Sequence, residues 1–595
     1  MSTITATPVS KGGAWLLEET DSASVFTPEK LSEEHRLIAQ TASDFVLQEV
    51  APNLERLEQK DWALNRELVK KCGELGLFGI YVPEEYGGVY LDKVAALVVS
   101  ENIAKSASFG ATYGAQANLC ILPIFLFGTE AQRQQYLPKL LTGEFVGAYA
   151  LSESGAGSDA LSAKARATKQ PDGSWVLTGE KMWITNGGFA DVIVVFAKVD
   201  GEHFTAFIVE KSFPGVSHGK EEHKTGLHGS STTSIILQDA KVPAGNLLGE
   251  IGKGHKVALN TLNYGRFKLG AMCSGGAKAA IGEAAKYAAE RKQFGQPIAN
   301  FGAIKHKLGE MTARAYAIDS LMYRTAGLID ELIAARPHDP KDASVSLGAL
   351  EEYVVEASIA KVFGSEVADY VLDENVQIHG GNGFVKDYPA EGHYRDARVN
   401  RIFEGTNEIN RLLIPGMLVR KALKGELPLI QAAKALQDEL LNPAPPSLTM
   451  DDGPLAEERK VVAAFKKVTL MILGTAMQKY GQKLTDEQEV LSYAADIMID
   501  TYAAESAVLR AVDATSRGLS NADLQRDAAT AFVHEAAARV EAAARTGLAA
   551  MIEGDMLRTL LAALRRTLKW TPANTVAIRR RLADATVRKG AYIFG

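Results

Sequence analysis

The stretch Gln377–Arg411 reads QIHGGNGFVKDYPAEGHYRDARVNRIFEGTNEINR, and its central tetrapeptide is Phe403-Glu404-Gly405-Thr406. A carboxylate lies there between an aromatic residue and a glycine, where a loop is predicted to become a helix. A helix start leaves backbone N–H groups unpaired, which favours an anion or a polarised carbonyl nearby. Desolvation by an apolar neighbour raises the proton affinity of a carboxylate, so Glu404 is a candidate general base. Taken alone, the tetrapeptide also fits a solvated turn.

Length and composition describe a globular chain of several domains. The 595 residues exceed what one core holds, and about two to four domains are expected. A net charge of −7 argues against nucleic-acid binding as the main role. Cys72, Cys120 and Cys273 lie far apart, so neither a disulfide framework nor a metal site is predicted. Such cysteine usage suits a reducing compartment.

Hydrophobic periodicity predicts a mainly α-helical protein with one small β-domain. Three long helical patterns, Val257–Arg291, Asn300–Ala335 and Asp342–His379, predict a helical bundle. The proline-rich stretch Leu441–Pro454 predicts a linker. The predicted regions are a tail 1–31, an N-terminal helical domain 32–143, a middle β-domain 144–252, a helical-bundle catalytic domain 253–425, a linker 426–454 and a C-terminal helical domain 455–595.

Common nucleotide-binding and hydrolase motifs are absent from the sequence. It contains no GxxxxGK[ST], no GxGxxG after a strand and no HExxH. Two other segments, Ala148–Asp159 and Lys181–Gly187, combine small residues, hydroxyls and Trp183, a set that suits a flat or anionic ligand. A Gly/Ser-rich turn and a strand with a buried tryptophan explain the same residues without a ligand.

Five segments occur together, in order and at suitable separations: Ala148–Asp159, Trp183–Asn186, Glu290–Gly295, Gln377–Gly383 and Arg395–Arg411. With them, the chain resembles an acyl-CoA dehydrogenase from about Ser32 to Leu423. The resemblance implies an N-terminal helical domain, a β-barrel or sandwich and a four-helix bundle, followed here by an appended C-terminal helical domain. Leu262–Phe267, Phe403 and this extension resemble the very-long-chain subgroup.

The resemblance also implies a reaction and its cofactor. The family uses FAD to oxidise an acyl-CoA thioester to its trans-2-enoyl-CoA, with a base removing the α-proton and a hydride passing to the flavin. Glu404 matches that base and is predicted to be catalytic. In some relatives the base instead precedes the arginine of the first bundle helix, and that position here is Gly265, before Arg266. The thioester oxygen is expected at a backbone N–H of the Glu404 type.

Further site residues follow by motif match. The predicted FAD-binding residues are Tyr149, Ser152, Ser158, Trp183, Thr185, Arg291, Phe294, Gln377, Gly381 and Thr406. Four of these, Arg291, Phe294, Gln377 and Gly381, match positions that reach the FAD of a neighbouring subunit, which implies a homodimer. The predicted substrate-binding residues are Ser158, Asn263, Arg266, Phe403 and Gly405.

Substrate and partners are expected from the subgroup. Gly114 and Ala115 are small, which predicts a deep tunnel for long-chain acyl-CoA, and electron-transferring flavoprotein is the expected electron acceptor. The alternatives are a flavin acyl-CoA oxidase, which reduces O₂, and a non-catalytic assembly factor with the same fold.

The location of the protein is predicted to be cytoplasmic. No run of 18 uninterrupted apolar residues and no signal peptide occur in the sequence. After Met556 the chain is basic, with an apolar stripe from Leu557 to Leu568. A second apolar cluster lies within Val461–Tyr480. Each fits either a peripheral contact with the inner face of the membrane or a packed helix with a solvated face.

Overall fold

The computed structural model describes residues 9–441 and 453–594. Residues 9–31, predicted to be a tail, are packed against the remainder of the protein. Trp15 is only 3% exposed, and its indole N–H donates to Glu356 at 2.9 Å. A buried aromatic side chain and a satisfied N–H stabilise such a segment, although it forms only short 3₁₀ turns.

The N-terminal region is helical, as predicted. Its helices are α1 Glu33–Phe45, α2 Leu54–Glu58, α3 Trp62–Glu74, α4 Lys93–Ile103, α5 Ala107–Gly114, α6 Leu122–Phe127 and α7 Glu130–Leu141. Ser32 caps α1 by accepting the N–H of His35 at 3.1 Å. A π-helical segment, Ala115–Ile121, joins α5 to α6. Such segments are frequent at functional sites.

The middle region is the predicted β-domain. Its strands are β1 Gly147–Ala150, β2 Arg166–Lys169, β3 Trp175–Thr185, β4 Val192–Val199, β5 His203–Glu210, β6 Val216–His218, β7 Thr232–Val242 and β8 Leu247–Leu248. They form one sheet in the order β6-β7-β3-β2-β4-β5-β8, and β1 pairs in parallel with β4. The pairing of β3 with β7 slips between Lys181 and Ile184. This bulge lies at the end of β3 that faces the helices.

Long helices then form the bundle: α8 Gly254–Glu290, α9 Gly302–Ala334, α10 Ala343–Glu352, α11 Val354–His379, α12 Ala390–Ala397 and α13 Asn407–Leu423. A short hairpin of β9 Lys292–Gln293 and β10 Gln296–Pro297 joins α8 to α9. The third predicted helix is two helices, α10 and α11. The break lies at the buried Tyr353, whose hydroxyl donates to the carbonyl of Ser10 at 2.7 Å.

The C-terminal helices are α14 Leu429–Leu441, α15 Ala456–Tyr480, α16 Gln488–Ser516, α17 Ala522–Met551, α18 Gly554–Thr567 and α19 Thr575–Lys589. The predicted linker 426–454 therefore contains a helix, α14, and residues 442–452 lie outside the described part. Arg510 on α16 is fully buried and pairs with Asp319 of the bundle at 2.8 Å and with Glu29 at 2.7 Å. These ion pairs join the C-terminal helices to the bundle and to the N-terminal segment.

Two helical stretches, Ala107–Phe127 and Ala456–Asp486, have the length and apolar composition needed to cross a membrane. Inside the protein, however, 83% and 61% of their most apolar windows are buried. Burial of this extent is ordinary for core helices of a folded domain.

Candidate active site

The loop Phe403–Thr406 ends where α13 begins, as predicted. Thr406 is the N-cap of α13, and its side chain accepts the N–H of Ile409 at 3.3 Å. Glu404 and Gly405 both have positive φ, at 58° and 81°. A glutamate in this region is strained, and the surrounding contacts must hold it there.

Three polar side chains hold the main chain of this loop through hydrogen bonds to its carbonyl groups. Arg266 on α8 donates to the carbonyl of Glu404 at 3.1 Å, and Asn410 donates to the carbonyl of Gly405 at 2.9 Å. Lys361 on α11 also donates to the carbonyl of Gly405, at 2.8 Å. These contacts fix the main chain and leave the carboxylate of Glu404 free to face the interior.

The carboxylate of Glu404 lies against α8 at a glycine. A Cβ atom at Gly265 would lie 2.6 Å from Oε2 of Glu404. Oε2 is buried and has no hydrogen-bond partner among the described residues. Burial raises the pKa of Glu404 to about 7, while the charges of Arg266 and Lys361 oppose the shift. A carboxyl group with this pKa can accept a proton at neutral pH.

The predicted substrate residues on α8 lie just behind the loop. Arg266 is 4% exposed and donates to Oδ1 of Asn263 at 2.9 Å, in addition to the carbonyl of Glu404. Phe403 and Glu404 line the neighbouring cavity, whereas Arg266 and Asn263 do not. Arg266 thus positions the base, and its guanidinium is already occupied by protein acceptors.

A cavity, which we call the tunnel, leads from Glu404 between α5 and α8. It contains about 1070 Å³ of atom-free space, including its open mouth. Its two long walls consist mainly of small residues, namely Ala107, Gly110, Ala111, Gly114, Ala115, Gly265, Gly276 and Ala279. Their spacing of three to four residues places each set on one helix face. These small residues open the space, which is also lined by the larger side chains of Leu269, Met272 and Cys273 on α8.

One of the FAD-binding residues predicted in the β-domain, Thr185 at the end of β3, lines the tunnel together with Glu404. Burial, and after it the charge of Glu404, raises the pKa of Tyr149 on β1. Trp183 is 57% exposed and has a positive φ of 58° within the β3 bulge. The interpretation of Trp183 as a buried core residue is therefore wrong.

These residues fit a flat aromatic cofactor. An exposed tryptophan held in a strained conformation next to a hydroxyl offers stacking and hydrogen bonding on one side of a cleft. Ser152 lies in the loop after β1, where its carbonyl accepts the N–H of Met182 at 2.9 Å, and Ser158 is exposed in the same loop. Gly155 and Gly157 of that loop have no atom within 4 Å of an added Cβ, so a ligand can approach its backbone.

Four predicted cofactor residues lie away from the tunnel. Arg291, Phe294, Gln377 and Gly381 are all exposed, Phe294 by 93%, and none of them lines the tunnel. They belong to the ends of α8 and α11, which are joined by stacking of Tyr287 on His379. Such a surface on one subunit leaves these side chains available to another molecule.

Sequence reasoning missed Lys361 and Asn186. Lys361 lies in the middle of α11, and no local motif marks it, although it holds the catalytic loop and burial lowers its pKa to about 8. Asn186 donates to the carbonyls of Thr112 and Gly147 at 3.1 and 3.0 Å, which fixes the end of β3 against α5 and β1. The backbone of Asn186 has a positive φ of 65°, a feature that is visible only in the structure.

The site combines a buried carboxyl base, a cleft for a flat cofactor and an apolar tunnel that begins at the base. These features define an enzyme that removes a proton from a substrate with an apolar chain. Family comparisons agree with this class. Four domain models of the acyl-CoA dehydrogenase family match the chain: the N-terminal domain at residues 32–144, the middle domain at 148–240, and C-terminal domains at 252–417 and 464–566.

Two similar proteins match nearly the whole length of this chain, and a third matches most of it. A probable acyl-CoA dehydrogenase of Bacillus subtilis (strain 168) is 48% identical over 592 residues, 99% of both chains. The crystal structure of an acyl-CoA dehydrogenase complexed with FAD from Bacillus anthracis is 49% identical, with a TM-score of 0.95, and covers 98% of this chain and 100% of its own. The human mitochondrial very long-chain specific acyl-CoA dehydrogenase is 34% identical over 84% of this chain and 76% of its own.

The chain belongs to the acyl-CoA dehydrogenase family. It is an FAD-dependent oxidoreductase acting on acyl-CoA, and the predicted fold class, activity and cofactor are confirmed. FAD, when bound, supplies the acceptor for the hydride that leaves the substrate. Trp183, Thr185 and Tyr149 would hold its ring system, and Glu404 would take the proton.

Proposed function

We propose that this enzyme oxidises long-chain and very-long-chain acyl-CoA to trans-2-enoyl-CoA in fatty-acid β-oxidation and passes the electrons to electron-transferring flavoprotein. The length of the tunnel carries the proposal. Both Gly265, beside the base, and Ala279 line it. At 1.5 Å per residue, this part of α8 spans about 21 Å. Gly265, Gly276 and Ala279 leave room for an extended acyl chain beside the larger side chains that line the same stretch, Leu269, Met272 and Cys273.

The similarity to the human very long-chain specific enzyme supports the same substrate class, because it extends beyond the bundle into the C-terminal helices. Within the tunnel, Glu404 removes the α-proton, and Arg266 and Lys361 keep its loop in place. The apolar walls exclude water from the reacting carbons and keep the pKa of Glu404 near 7.

Anaerobic reduction of the bound flavin by a series from butanoyl-CoA to eicosanoyl-CoA tests the substrate class. We expect the highest kcat/KM at hexadecanoyl-CoA or longer, and an optimum at butanoyl-CoA or hexanoyl-CoA would contradict the proposal. Faster turnover with electron-transferring flavoprotein than with O₂ is expected. Peroxide formation at the full rate would instead identify an acyl-CoA oxidase, and bleaching that is unaffected by Glu404→Gln would favour the assembly factor.

We also propose that the protein is a homodimer. The exposed set Arg291, Phe294, Gln377 and Gly381 supports this, together with Phe384, which is 87% exposed. Two exposed phenylalanines on one end of the bundle are unusual for a monomer. Light scattering after size-exclusion chromatography should give twice the chain mass, and Phe294→Glu should give the mass of one chain.

We propose a cytoplasmic location, and we expect any contact with the membrane to be electrostatic. The apolar residues that predicted membrane binding pack against the core: Leu564 and Leu568 of the first stripe are buried and its other leucines are half-buried, while Leu470 to Leu473 are buried. The basic residues of α18 and α19 are then the groups left to meet an anionic surface. Sedimentation with anionic vesicles should depend steeply on salt, and full recovery in the supernatant at low salt would remove the contact.

A further inference from the structure

The far end of the tunnel borders a second cavity, which we call the rear cleft. Lys105 and Ala279 line both spaces, so these two residues form the wall between them. The rear cleft contains about 1390 Å³ of atom-free space, including its opening to solvent. It lies between the segment before α1, helices α4, α8 and α9, and the chain end at Tyr592–Phe594.

The wall is thin and contains one flexible side chain. Ala279 contributes only a methyl group and is exposed. Lys105 is also exposed, and its ammonium donates to the hydroxyl of Ser43 at 2.7 Å. A long side chain held at its end by one neutral acceptor can be displaced at low cost. The tunnel is thus closed by a side chain that can move, whereas a packed core would close it permanently.

The carboxylates that line the rear cleft already have cationic partners. Glu101 pairs with Lys278 at 2.9 Å, and Asp319 pairs with Lys278 and with Arg510. Glu29 pairs with Arg510 at 2.7 Å. These ion pairs offset the charge of the three carboxylates. At the junction itself, burial lowers the pKa of Lys105, and the charges of Asp44 and Glu101 oppose that shift.

Two of the cations in the same cleft donate instead to neutral acceptors. Lys105 donates to Ser43, and Arg36 donates to the carbonyl of Leu31 at 3.0 Å. The cleft thus offers positive charge near the junction with the tunnel, and an anion arriving there would form charge-assisted hydrogen bonds in place of neutral ones.

We propose that the tunnel opens at its rear through Lys105, and that the rear cleft binds the anionic end of long acyl-CoA substrates carrying an ω-carboxylate. The inference rests on the proposed function, because the thioester of such a substrate must lie at Glu404 while its chain fills the tunnel. The ammonium of Lys105 exchanges the hydroxyl of Ser43 for the ω-carboxylate. A methyl-terminated chain of equal length gains no such contact.

The test compares hexadecanoyl-CoA with its ω-carboxy analogue on the FAD-loaded enzyme and on Lys105→Met. Methionine keeps the approximate length of the side chain and removes its charge. We expect the ratio of KM for the ω-carboxy substrate to KM for hexadecanoyl-CoA to rise about tenfold in Lys105→Met. Lys70→Met, an exposed lysine on α3, is the matched control and should leave the ratio unchanged.

A second variant acts on the junction without changing charge. Ala279→Leu narrows it and should lower kcat/KM for the ω-carboxy substrate by a larger factor than kcat/KM for octanoyl-CoA, which is too short to reach the junction. An unchanged KM ratio in Lys105→Met would overturn the inference, and so would full activity of Ala279→Leu on the ω-carboxy substrate. If no long acyl-CoA reduces the flavin at all, the proposed function fails instead, so the two failures are distinguishable.

Discussion

At the reacting end of the tunnel, polar contacts hold each group in place, whereas glycines and alanines leave open space along the rest of its length. The loop of Glu404 is fixed by Arg266, Lys361 and Asn410. Farther in, Gly114 and Gly276 leave open space. The reaction therefore depends on the position of a few polar atoms around Glu404, and chain-length selection depends on the space that small residues leave in the tunnel. Changes at the two ends should affect different kinetic parameters.

The largest effect is expected when the base itself is replaced. Glu404→Gln keeps the shape of the side chain and removes its proton affinity, so kcat should fall by about 10² to 10⁴. Stopped-flow flavin reduction with hexadecanoyl-CoA measures the loss, and the flavin spectrum verifies that FAD is retained. Glu74→Gln, an exposed carboxyl on α3, is the control. A rate within the range of the wild type would remove Glu404 from its catalytic role.

The next effect tests how closely the base must be placed. In Gly265→Ala the new methyl group would lie 2.6 Å from Oε2 of Glu404, so the carboxylate must move. A displacement on this scale should lower kcat by about 10². Gly276→Ala on the same helix meets no atom within 4 Å and is the matched control with octanoyl-CoA as substrate. Equal kcat in both variants would show that the carboxylate tolerates movement.

Along the wall of the tunnel, added volume should change substrate choice and leave the chemistry intact. Gly114→Leu and Gly276→Leu place side chains in open parts of the tunnel, where the nearest atom to an added Cβ at Gly114 is 3.8 Å away. We expect kcat/KM for hexadecanoyl-CoA to fall about tenfold or more, with octanoyl-CoA less affected. An equal loss for both chain lengths would mean that the reacting end had been disturbed as well.

The smallest effects concern the pKa of Glu404. Because burial raises it to about 7, kcat/KM should increase with pH and level off above that value. Lys361→Met removes a positive charge that opposes the shift, so the apparent pKa should rise. A profile that is flat between pH 5 and 8 would contradict the assignment of Glu404 as the titrating base.

The same raised pKa predicts a change in stability. Between the ordinary value of 4.5 and about 7, the folded protein binds more protons at Glu404 than the unfolded chain does. Stability contributed by this group is therefore lost as pH rises through that window. Glu404→Gln should recover it, by at most about 3 kcal/mol at pH 8 and by almost nothing at pH 4. Thermal unfolding at the two pH values measures the difference, and an equal shift at both would refute the linkage.

Features governed by neighbouring residues were predictable from the sequence. Thr406 caps α13 where a helix start was expected, because a capping hydrogen bond spans three residues. Short strand patterns, such as the alternation in β3, located the β-domain. Helix α14 was within reach too, since Leu, Ala, Lys and Gln dominate Leu429–Leu441, but the adjacent prolines favoured a linker.

The sequence by itself predicted Glu404 as the base, through the five segments that resemble the family, and the small residues Gly114 and Ala115 predicted a deep tunnel. Only the tertiary structure placed Gly265 under the carboxylate, Lys361 behind the loop and Lys105 between two cavities. The physical reason is the separation in sequence between the residues that interact. Caps and periodicity act between neighbours in the chain, whereas the pKa of Glu404 and the reach of the tunnel depend on groups tens to hundreds of residues away, which meet only when the helices pack.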